Sequence, residues 1–211
     1  MADYLQPILT ELELFCKKWR IGLNPNKTSC LNFFVKSSDN NSPRLWLQGN
    51  LLQYNKTFKF LGVTFDEKLS FKEHIEDIVS RCKKRLNLLK ALCGKTWGAS
   101  PETILYTYRC YIRPILEYGS ILFAYSSDDL IKKIQAAETM AIKIAYRLPP
   151  WTTNTFCYEY VSFEKISDRL KTLAKNFLKT KSNDDLIKPL IEAAKPSTTG
   201  KHSAVYKTLN W

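Results

Sequence analysis

Histidine is scarce in this sequence, and its cysteines are not spaced as metal ligands. His74 and His202 are the two histidines among 211 residues, and the six cysteines include no C-x-x-C pair. A tetrahedral zinc site takes paired cysteine or histidine ligands at short spacing. The spacing therefore predicts no metal site, and we expect reduced thiols packed within apolar faces.

Long apolar runs are also missing. No run approaches the roughly 20 residues that span a bilayer, and residues 1–4 lack the basic region and apolar stretch of a signal peptide. The chain is therefore expected to be intracellular, either cytoplasmic or nuclear, and not secreted, with no membrane partner.

Enzyme signatures are absent as well. The sequence contains no G-x-S-x-G, P-loop, H-E-x-x-H or G-x-G-x-x-G motif. Two aspartate pairs, Asp128-Asp129 and Asp184-Asp185, suggest the paired carboxylates that hold catalytic divalent metals. Each is followed by a helical or Pro-interrupted segment, however, so the favoured interpretation is an acidic first turn of a helix. No catalytic or metal-binding carboxylates are predicted.

Composition favours a folded, basic protein. Hydrophobic residues make up 45% and charged residues 25%, which is the balance of a globular chain. The 32 basic and 20 acidic residues leave a net charge of +12. This excess favours a polyanionic partner, and nucleic acid is the leading candidate.

The first third of the chain has mixed periodicity. Apolar residues spaced by three and four predict a helix over 4–19, with Leu5, Ile8, Leu12, Phe15 and Trp19 on one face. Residues 23–26 form a turn before a predicted strand at 30–35, and 36–43 read as a hairpin loop. Further strands are predicted at 45–47 and at 58–65, the latter with Gly62 in its middle.

The chain after Asp66 is predicted to be helical. A capping box of Ser70 and Glu73 starts the longest helix, whose seam is Phe71, Ile75, Ile78, Cys82, Leu86, Leu89 and Leu92. The next helix begins at Ser100-Pro101, and Pro114 is expected to kink or shorten it. A third begins at Ser127 or Asp128, a fourth runs from Ser162 to Phe177, and a short fifth covers 184–194.

Basic residues cluster on two of these helices. The first cluster is Arg81, Lys83, Lys84, Arg85, Lys90 and Lys95, and the second is Lys165, Arg169, Lys171, Lys175, Lys179 and Lys181. Such clusters either line a phosphate backbone or form a solvated helix face, and the large net charge favours the first. Tyr106, Tyr108, Tyr111 and Tyr118 would stack on bases or fill the core; the sequence leaves both open.

Three segments resemble reverse transcriptases of non-LTR retrotransposons. Leu23-Asn24-Pro25-Asn26-Lys27-Thr28 resembles the palm segment called motif D. Residues 60–66 (FLGVTFD), followed by Leu69-Ser70-Phe71, resemble the motif E primer grip and its passage into the thumb. Residues 111–120 (YIRPILEYGS) resemble the thumb of jockey-like elements.

The resemblance implies roles for individual residues. Lys27 would lie near the incoming nucleotide and help protonate the pyrophosphate leaving group, unless it is an ordinary turn lysine. Phe60, Leu61, Gly62 and Val63 would hold the primer terminus, although a buried strand would show the same pattern. The basic helix at Arg81–Arg85 would face the template–primer duplex, and the expected partner is nucleic acid, either an RNA–DNA hybrid or RNA.

The resemblance also implies a missing part. In the family, the aspartate pair of the catalytic turn precedes the helix that starts here near Asp3. The complete family enzyme uses Mg²⁺, but this chain is expected to bind no cofactor by itself. A fingers-palm segment, upstream or separate, is therefore a possible partner.

These inferences define an α+β fold with a small palm remnant, one helix with a few antiparallel strands, followed by a mainly helical thumb bundle. The expected boundaries are 1–66 for the palm, 67–150 for the thumb, 151–195 for further helices and 196–211 for a flexible tail. The leading hypothesis is a fragment of a retrotransposon RNA-directed DNA polymerase, inactive alone, that retains template–primer binding. The alternatives are the back half of an active reverse transcriptase and a translated relic without function.

Overall fold

The computed structural model describes residues 2–33, 43–94 and 97–189. It divides the chain into two compact units, 1–71 and 72–211. The first contains one long helix and short strands, and the second is helical throughout its described part. The α+β fold class is therefore confirmed. Among the described helices, none is long and apolar enough to cross a membrane.

Helix α1 (Ala2–Lys18) packs on a small leucine cluster in the first unit. Leu45, Leu47 and Leu52 form this cluster, and Leu5 and Leu9 of α1 pack against it. The side chain of Gln6 accepts from the Trp46 N–H at 2.8 Å and donates to the Trp46 carbonyl at 2.9 Å. The amide thus pairs with the β2 backbone as a neighbouring strand would.

The described residues of the first unit also form three two-stranded sheets. β1 (Ser29–Cys30) pairs in parallel with β4 (Gln53–Tyr54). β2 (Trp46–Leu47) and β3 (Asn50–Leu51) are antiparallel, as are β5 (Thr57–Phe60) and β6 (Val63–Asp66). The predicted strand at 30–35 is described only to residue 33 and is paired at Ser29–Cys30; residues 34 and 35 and most of the predicted loop 36–43 lie outside the described residues.

The prediction of one strand over 58–65 was wrong, because the chain reverses in its middle. Phe60 pairs with Val63, and the two residues between them form the turn. Leu61 and Gly62 have φ of 46° and 85°, which is the left-handed backbone of a two-residue hairpin turn. Glycine adopts this conformation at no steric cost, so Gly62 marks the turn that the surrounding β-forming residues concealed.

The predicted capping box at Ser70 was also wrong. Helix α2 (Lys72–Ala91) starts two residues after Ser70, whose N–H and hydroxyl instead donate to the Asp66 carboxylate at 3.0 and 3.1 Å. The N–H groups of Lys68 and Phe71 also donate to Asp66, at 3.0 and 2.7 Å. Burial alone would raise the pKa of Asp66, but these hydrogen bonds outweigh it and hold the pKa below its ordinary value.

The core of the second unit lies between α2 and α6 (Asp128–Ala145). The predicted α2 seam is confirmed from Ile75 to Leu89, whereas Leu92 is only half-buried. Helix α6 contributes Ile134, Ala137 and Ala141 to this core. Burial raises the pKa of the Cys82 thiol to about 12, so this cysteine stays protonated within the apolar face, as expected.

The helix before Pro114 is interrupted, as predicted. After α3 (Pro101–Thr107) the chain forms a π-helical turn over Tyr108–Ile112, then α4 (Arg113–Glu117) and α5 (Ser120–Phe123). Proline has no N–H to donate to the preceding turn, so an unbroken α-helix cannot pass through it. In the π-turn, the backbone N–H of Arg113 donates instead to the carbonyl of Tyr108, five residues earlier.

Between α6 and residue 180 the chain forms two helices, where the sequence predicted one. α7 (Asn154–Val161) ends at Ser162, whose φ of 48° is a left-handed cap, and α8 covers Ile166–Thr180. The predicted start of a helix at Ser162 was therefore wrong, and α7 was missed. α7 packs against α6, and α8 packs against α5 and α6. The fifth predicted helix lies partly, and the tail 196–211 entirely, outside the described residues.

Candidate nucleic-acid interface

The predicted basic cluster on α2 divides between the two flanks of the helix. Residues three or four apart share a flank of an α-helix, whereas residues two apart do not. Arg81, Lys84 and Arg85 therefore lie on one flank, and Lys83 and Lys90 lie on the other. Lys95 is outside the described residues.

The first flank is occupied by intramolecular contacts. Arg81 lies 3.8 Å from the Asp77 carboxylate. The Arg85 guanidinium stacks on the Tyr111 ring, 4.6 Å from its centroid, and donates to the Tyr111 carbonyl at 3.1 Å. These contacts hold both side chains against the bundle, so Lys84 is the freer cation on this flank.

The second flank faces α6. Glu76 is seven residues before Lys83 and so shares its flank, and the Glu76 carboxylate pairs with Lys133 of α6 at 2.6 Å. Lys83 and Lys90 are both exposed, and neither forms an ion pair with a described residue. Their positive charge is therefore not neutralised on this side of α2.

A groove opens beside Lys90. Its volume is about 580 Å³, and it lies between the end of α2, the second half of α6 and the segment that leads to α7. Lys143 and Arg147 line it together with Lys90, and no aspartate or glutamate among the described residues does. Lys143 donates to the Pro150 carbonyl at 3.0 Å and Arg147 donates to the Gly94 carbonyl, so neutral acceptors hold both cations.

Lys90, Lys143 and Arg147 line the groove, and Lys83 lies two turns before Lys90 on the same flank of α2; these four residues are called the rim cations below. The sequence placed Lys83 and Lys90 in a candidate site but missed the other two. Lys143 lies in the last turn of α6, and Arg147 follows it in a left-handed conformation with φ of 54°. Isolated basic residues near a helix end are common, so their approach to α2 becomes visible only in the fold.

Two residues of the second predicted cluster, on α8, already form contacts within the helical unit. Arg169 donates to Glu117 at 3.1 Å, and the Lys165 ammonium lies 5.8 Å from the Tyr158 ring centroid. Lys175 is half-buried, whereas Lys179 and Lys181 are exposed. This helix therefore offers fewer exposed cations than its sequence indicates.

The four tyrosines that could stack on bases or fill the core differ in their exposure. Tyr108 is fully buried, so it belongs to the core. Tyr106, Tyr111 and Tyr118 are 68%, 46% and 57% exposed. Tyr111 lies under Arg85, as described above, which leaves its ring only partly open to a ligand.

The segment 111–120 contributes to a buried polar cluster that sequence reasoning missed. Arg113, only 7% exposed, lies 3.1 Å from Glu117, 3.9 Å from Glu138 and 3.4 Å from Glu164. Glu138 has no exposed surface and accepts from the Tyr158 hydroxyl at 2.8 Å.

Glu138 also holds the start of α8. Its carboxylate accepts from the Ile166 N–H at 2.7 Å and from the Tyr108 hydroxyl at 3.3 Å. Burial raises the pKa of Glu138 above its ordinary value, although these donors and Arg113 favour the charged form. The cluster therefore connects the π-turn, α6, α7 and α8.

The two aspartate pairs do not fit a Mg²⁺ site. Asp128 and Asp129 occupy the first turn of α6, as predicted, and the Lys132 ammonium lies 3.7 Å from Asp129. Asp184 accepts from the Leu186 N–H at 3.0 Å. Within the described ranges, no three His, Cys, Asp or Glu side chains converge where they could hold a metal ion.

The motif residues of the first unit are exposed at two turns. Lys27 ends a 3₁₀ turn over Pro25–Lys27, which the Asn24 side chain caps by accepting from the Asn26 N–H at 3.0 Å. At the β5–β6 hairpin Phe60 is 56% and Leu61 74% exposed. Gly62 is exposed too, and Val63 is buried.

Known proteins similar to this chain are polymerases of mobile elements. The probable RNA-directed DNA polymerase from transposon BS of Drosophila melanogaster is 24% identical over 169 residues, 80% of this chain and 19% of that protein. The RNA-directed DNA polymerase from mobile element jockey of Drosophila funebris is 25% identical over 178 residues, 83% of this chain and 19% of its own length. The chain thus spans about a fifth of these relatives.

A third relative is also a polymerase of a mobile element. The probable RNA-directed DNA polymerase from transposon X-element of Drosophila melanogaster is 22% identical over 169 residues, 80% of this chain and 18% of that protein. No protein-family model and no solved structure matches the chain. The predicted resemblance to jockey-like non-LTR retrotransposon polymerases is confirmed.

Proposed function

We propose that this chain binds nucleic acid as part of a retrotransposon RNA-directed DNA polymerase and does not polymerise by itself. One observation carries the binding proposal. Three of the four rim cations line one groove, Lys83 shares the α2 flank of Lys90, and none of the four forms an ion pair with a carboxylate of the described residues. Unneutralised cations on one surface are what a phosphate backbone requires.

The alternative use of surface lysines is to form ion pairs within the bundle. Lys132 and Lys133 of α6 do this, with Asp129 and Glu76 at 3.7 and 2.6 Å. The rim cations differ, because Lys143 and Arg147 donate to carbonyl groups and Lys83 and Lys90 form no ion pair with a described residue. Binding a polyanion would therefore not require an existing ion pair to break.

The motif residues complete this proposal. The segments 1–66 and 67–150 would correspond to the end of a palm and to a thumb. The exposed hairpin of Phe60–Val63 would contact the primer terminus, where Gly62 allows close approach of a backbone. Lys27, exposed at its turn, would lie near the incoming nucleotide and help protonate the pyrophosphate leaving group. A protein with these roles would be located inside the cell.

Binding is tested by fluorescence anisotropy with a labelled RNA–DNA hybrid over a series of salt concentrations. We expect log Kd to rise linearly with log salt. The double variant Lys83→Ala/Lys90→Ala should weaken binding and reduce the slope by about 2, one for each lost phosphate contact. Absence of binding by the native chain at low salt would refute the proposal.

The matched control is Lys132→Ala/Lys133→Ala. It removes the same formal charge from the same unit, but from lysines that are already paired. A smaller change in slope is expected. If both double variants change the slope equally, net charge explains binding and the rim surface does not.

A second candidate function is the back half of a reverse transcriptase completed by a fingers-palm segment. Helix α1 favours it. Besides the face on the leucine cluster, α1 carries an exposed apolar stripe at three- and four-residue spacing, which Trp19 continues just past the end of the helix. The stripe residues are 44–74% exposed: Tyr4, Ile8, Leu12, Phe15 and Trp19. Exposed apolar patches of this kind mark interaction surfaces.

Primer extension with Mg²⁺ separates the two candidates. Extension by the chain only after addition of a fingers-palm fragment from a similar polymerase would favour the second. In that case Leu12→Glu/Phe15→Glu on the stripe should abolish the rescue. Extension by the chain alone would contradict both.

A further inference from the structure

The groove beside Lys90 has an apolar floor as well as a basic rim. Ala136, Met140, Ile144 and Leu148 line it at intervals of four residues, so they form one stripe along α6 and its end. Met140 is 36% exposed. A surface for phosphates alone would not need this stripe, because phosphate oxygens bind cations and N–H donors.

An exposed aromatic ring follows the groove lining directly in the chain. Trp151 stands between Pro150 and Asn154, both of which line the groove, and it is 83% exposed. Phe156 and Tyr160 stack on each other on a different flank of α7 from Asn154, and they do not line the groove.

We infer that the groove binds unpaired nucleotides of a single-stranded RNA or DNA segment. This inference rests on the proposed function and names the form of nucleic acid that the groove takes. An unpaired nucleotide offers an apolar base face together with a phosphate, which matches an apolar stripe beside three cations. In a duplex the base faces are stacked on one another, so they cannot reach Met140 or Ile144.

The dimensions and charge are consistent with this occupant. The volume of about 580 Å³ lies within the range of roughly 300–1,000 Å³ that small-molecule clefts occupy. An acidic amphipathic peptide would also complement apolar residues and cations. The exposed Trp151 ring, one residue after the groove-lining Pro150, favours nucleotides, because an indole ring stacks on any base.

Two probes test the inference, a labelled 12-nucleotide single-stranded RNA and a blunt 12-base-pair RNA–DNA hybrid, each titrated by anisotropy. Trp151→Ala should weaken single-strand binding about tenfold and leave hybrid binding within about twofold. Met140→Glu should weaken binding of both probes, and single-strand binding more strongly, because its carboxylate would lie on the groove floor and also beside the cations that line the groove. Both side chains are exposed enough to be replaced without filling or opening the core, which thermal melts would check.

The matched control is Leu88→Glu. Leu88 is 49% exposed on the flank of α2 that carries Arg81 and Arg85, so this variant adds the same negative charge away from the groove. It should affect the two probes equally. If Met140→Glu and Trp151→Ala also affect both probes equally, or neither, the inference is overturned while the proposed function stands.

Two other outcomes are decisive. If the native chain binds neither probe, the proposed function fails and the inference fails with it. If a polyglutamate peptide of the same charge displaces the single strand as effectively as unlabelled RNA does, the groove accepts acidic protein segments, and the nucleotide inference is wrong. Retention of the single strand against polyglutamate supports it.

Discussion

The helical unit holds two groups of charged side chains in opposite surroundings. Arg113 and Glu138 lie inside, where each has several partners, and Glu138 has no exposed surface. Lys83 and Lys90 lie outside, exposed and unpaired with any described carboxylate. A buried charge is tolerated only when its partners are complete, so the inner group is structural. An exposed charge without a partner adds little to stability and remains available for a ligand.

The strongest test of this contrast is Glu138→Ala. The substitution leaves the Tyr158 hydroxyl and the Ile166 N–H without their acceptor and removes one of three carboxylates around Arg113. Breaking a buried charged cluster costs about 3–5 kcal/mol. The free energy of unfolding, measured by urea denaturation and circular dichroism, should fall by about that amount.

Glu76→Ala is the control for that experiment. Glu76 is also a glutamate paired with a cation across two helices, but both partners are exposed. It should lower stability much less than Glu138→Ala does. Similar losses for the two variants would show that burial does not distinguish the two groups of charges.

The next effect is the coupling between Arg113 and Glu138. Their closest atoms are 3.9 Å apart, and both contact further partners. Because either substitution alone leaves the other side chain partly unsatisfied, the two losses should not add. The double variant Arg113→Ala/Glu138→Ala should be less destabilised than the sum of the singles, by about 0.5–3 kcal/mol. Additive losses in the same denaturation assay would indicate that the two side chains act separately.

A carboxylate of the first unit extends the comparison to pH. Burial raises the pKa of Glu138, whereas hydrogen bonds lower that of Asp66. The contribution of Asp66 to stability is therefore present above its unfolded pKa, about 3.9, and is lost as pH falls through the lower folded pKa. For Glu138 the sign is reversed, and its contribution declines as pH rises toward its raised folded pKa.

Asp66→Asn isolates the first of these effects. It should lower local stability by about 1–2 kcal/mol at neutral pH, because the amide cannot accept from four donors. Hydrogen exchange at Lys68, Ser70 and Phe71 would report it. Protection in the native chain should decrease toward that in the variant as pH is lowered below 4. A constant difference between native and variant over that range would contradict the assigned role of Asp66.

Features that depend on local sequence could be predicted, whereas features that depend on contacts between distant segments could not. Helices α2 and α6 follow from long apolar periodicity, and the interruption at Pro114 follows from the chemistry of proline. The basic residues of α2 were recognisable, but their division into two flanks depends on which neighbour each flank meets. The ion pair of Glu76 and Lys133 places one flank of α2 against α6, and these two residues are 57 positions apart in the sequence.

The inner cluster could not have been predicted in the same way. A glutamate in the middle of a helix normally faces solvent, and Glu138 is buried only because Tyr108, Tyr158 and Ile166 bring donors from distant segments. The errors at Ser70 and Gly62 have local causes. Asp66 competes for the Ser70 groups, and the hairpin turn lies within residues that all favour strands.

The smallest expected change in stability is that of Lys83→Ala/Lys90→Ala. Both lysines are exposed and unpaired with described carboxylates, so the free energy of unfolding should stay within about 0.5 kcal/mol of the native value. The same variant should weaken hybrid binding more than any other double substitution of exposed lysines. A large loss of stability together with unchanged binding would place these cations in the structural group. Loss of binding at unchanged stability would confirm that the outer charges serve a ligand while the inner charges hold the bundle.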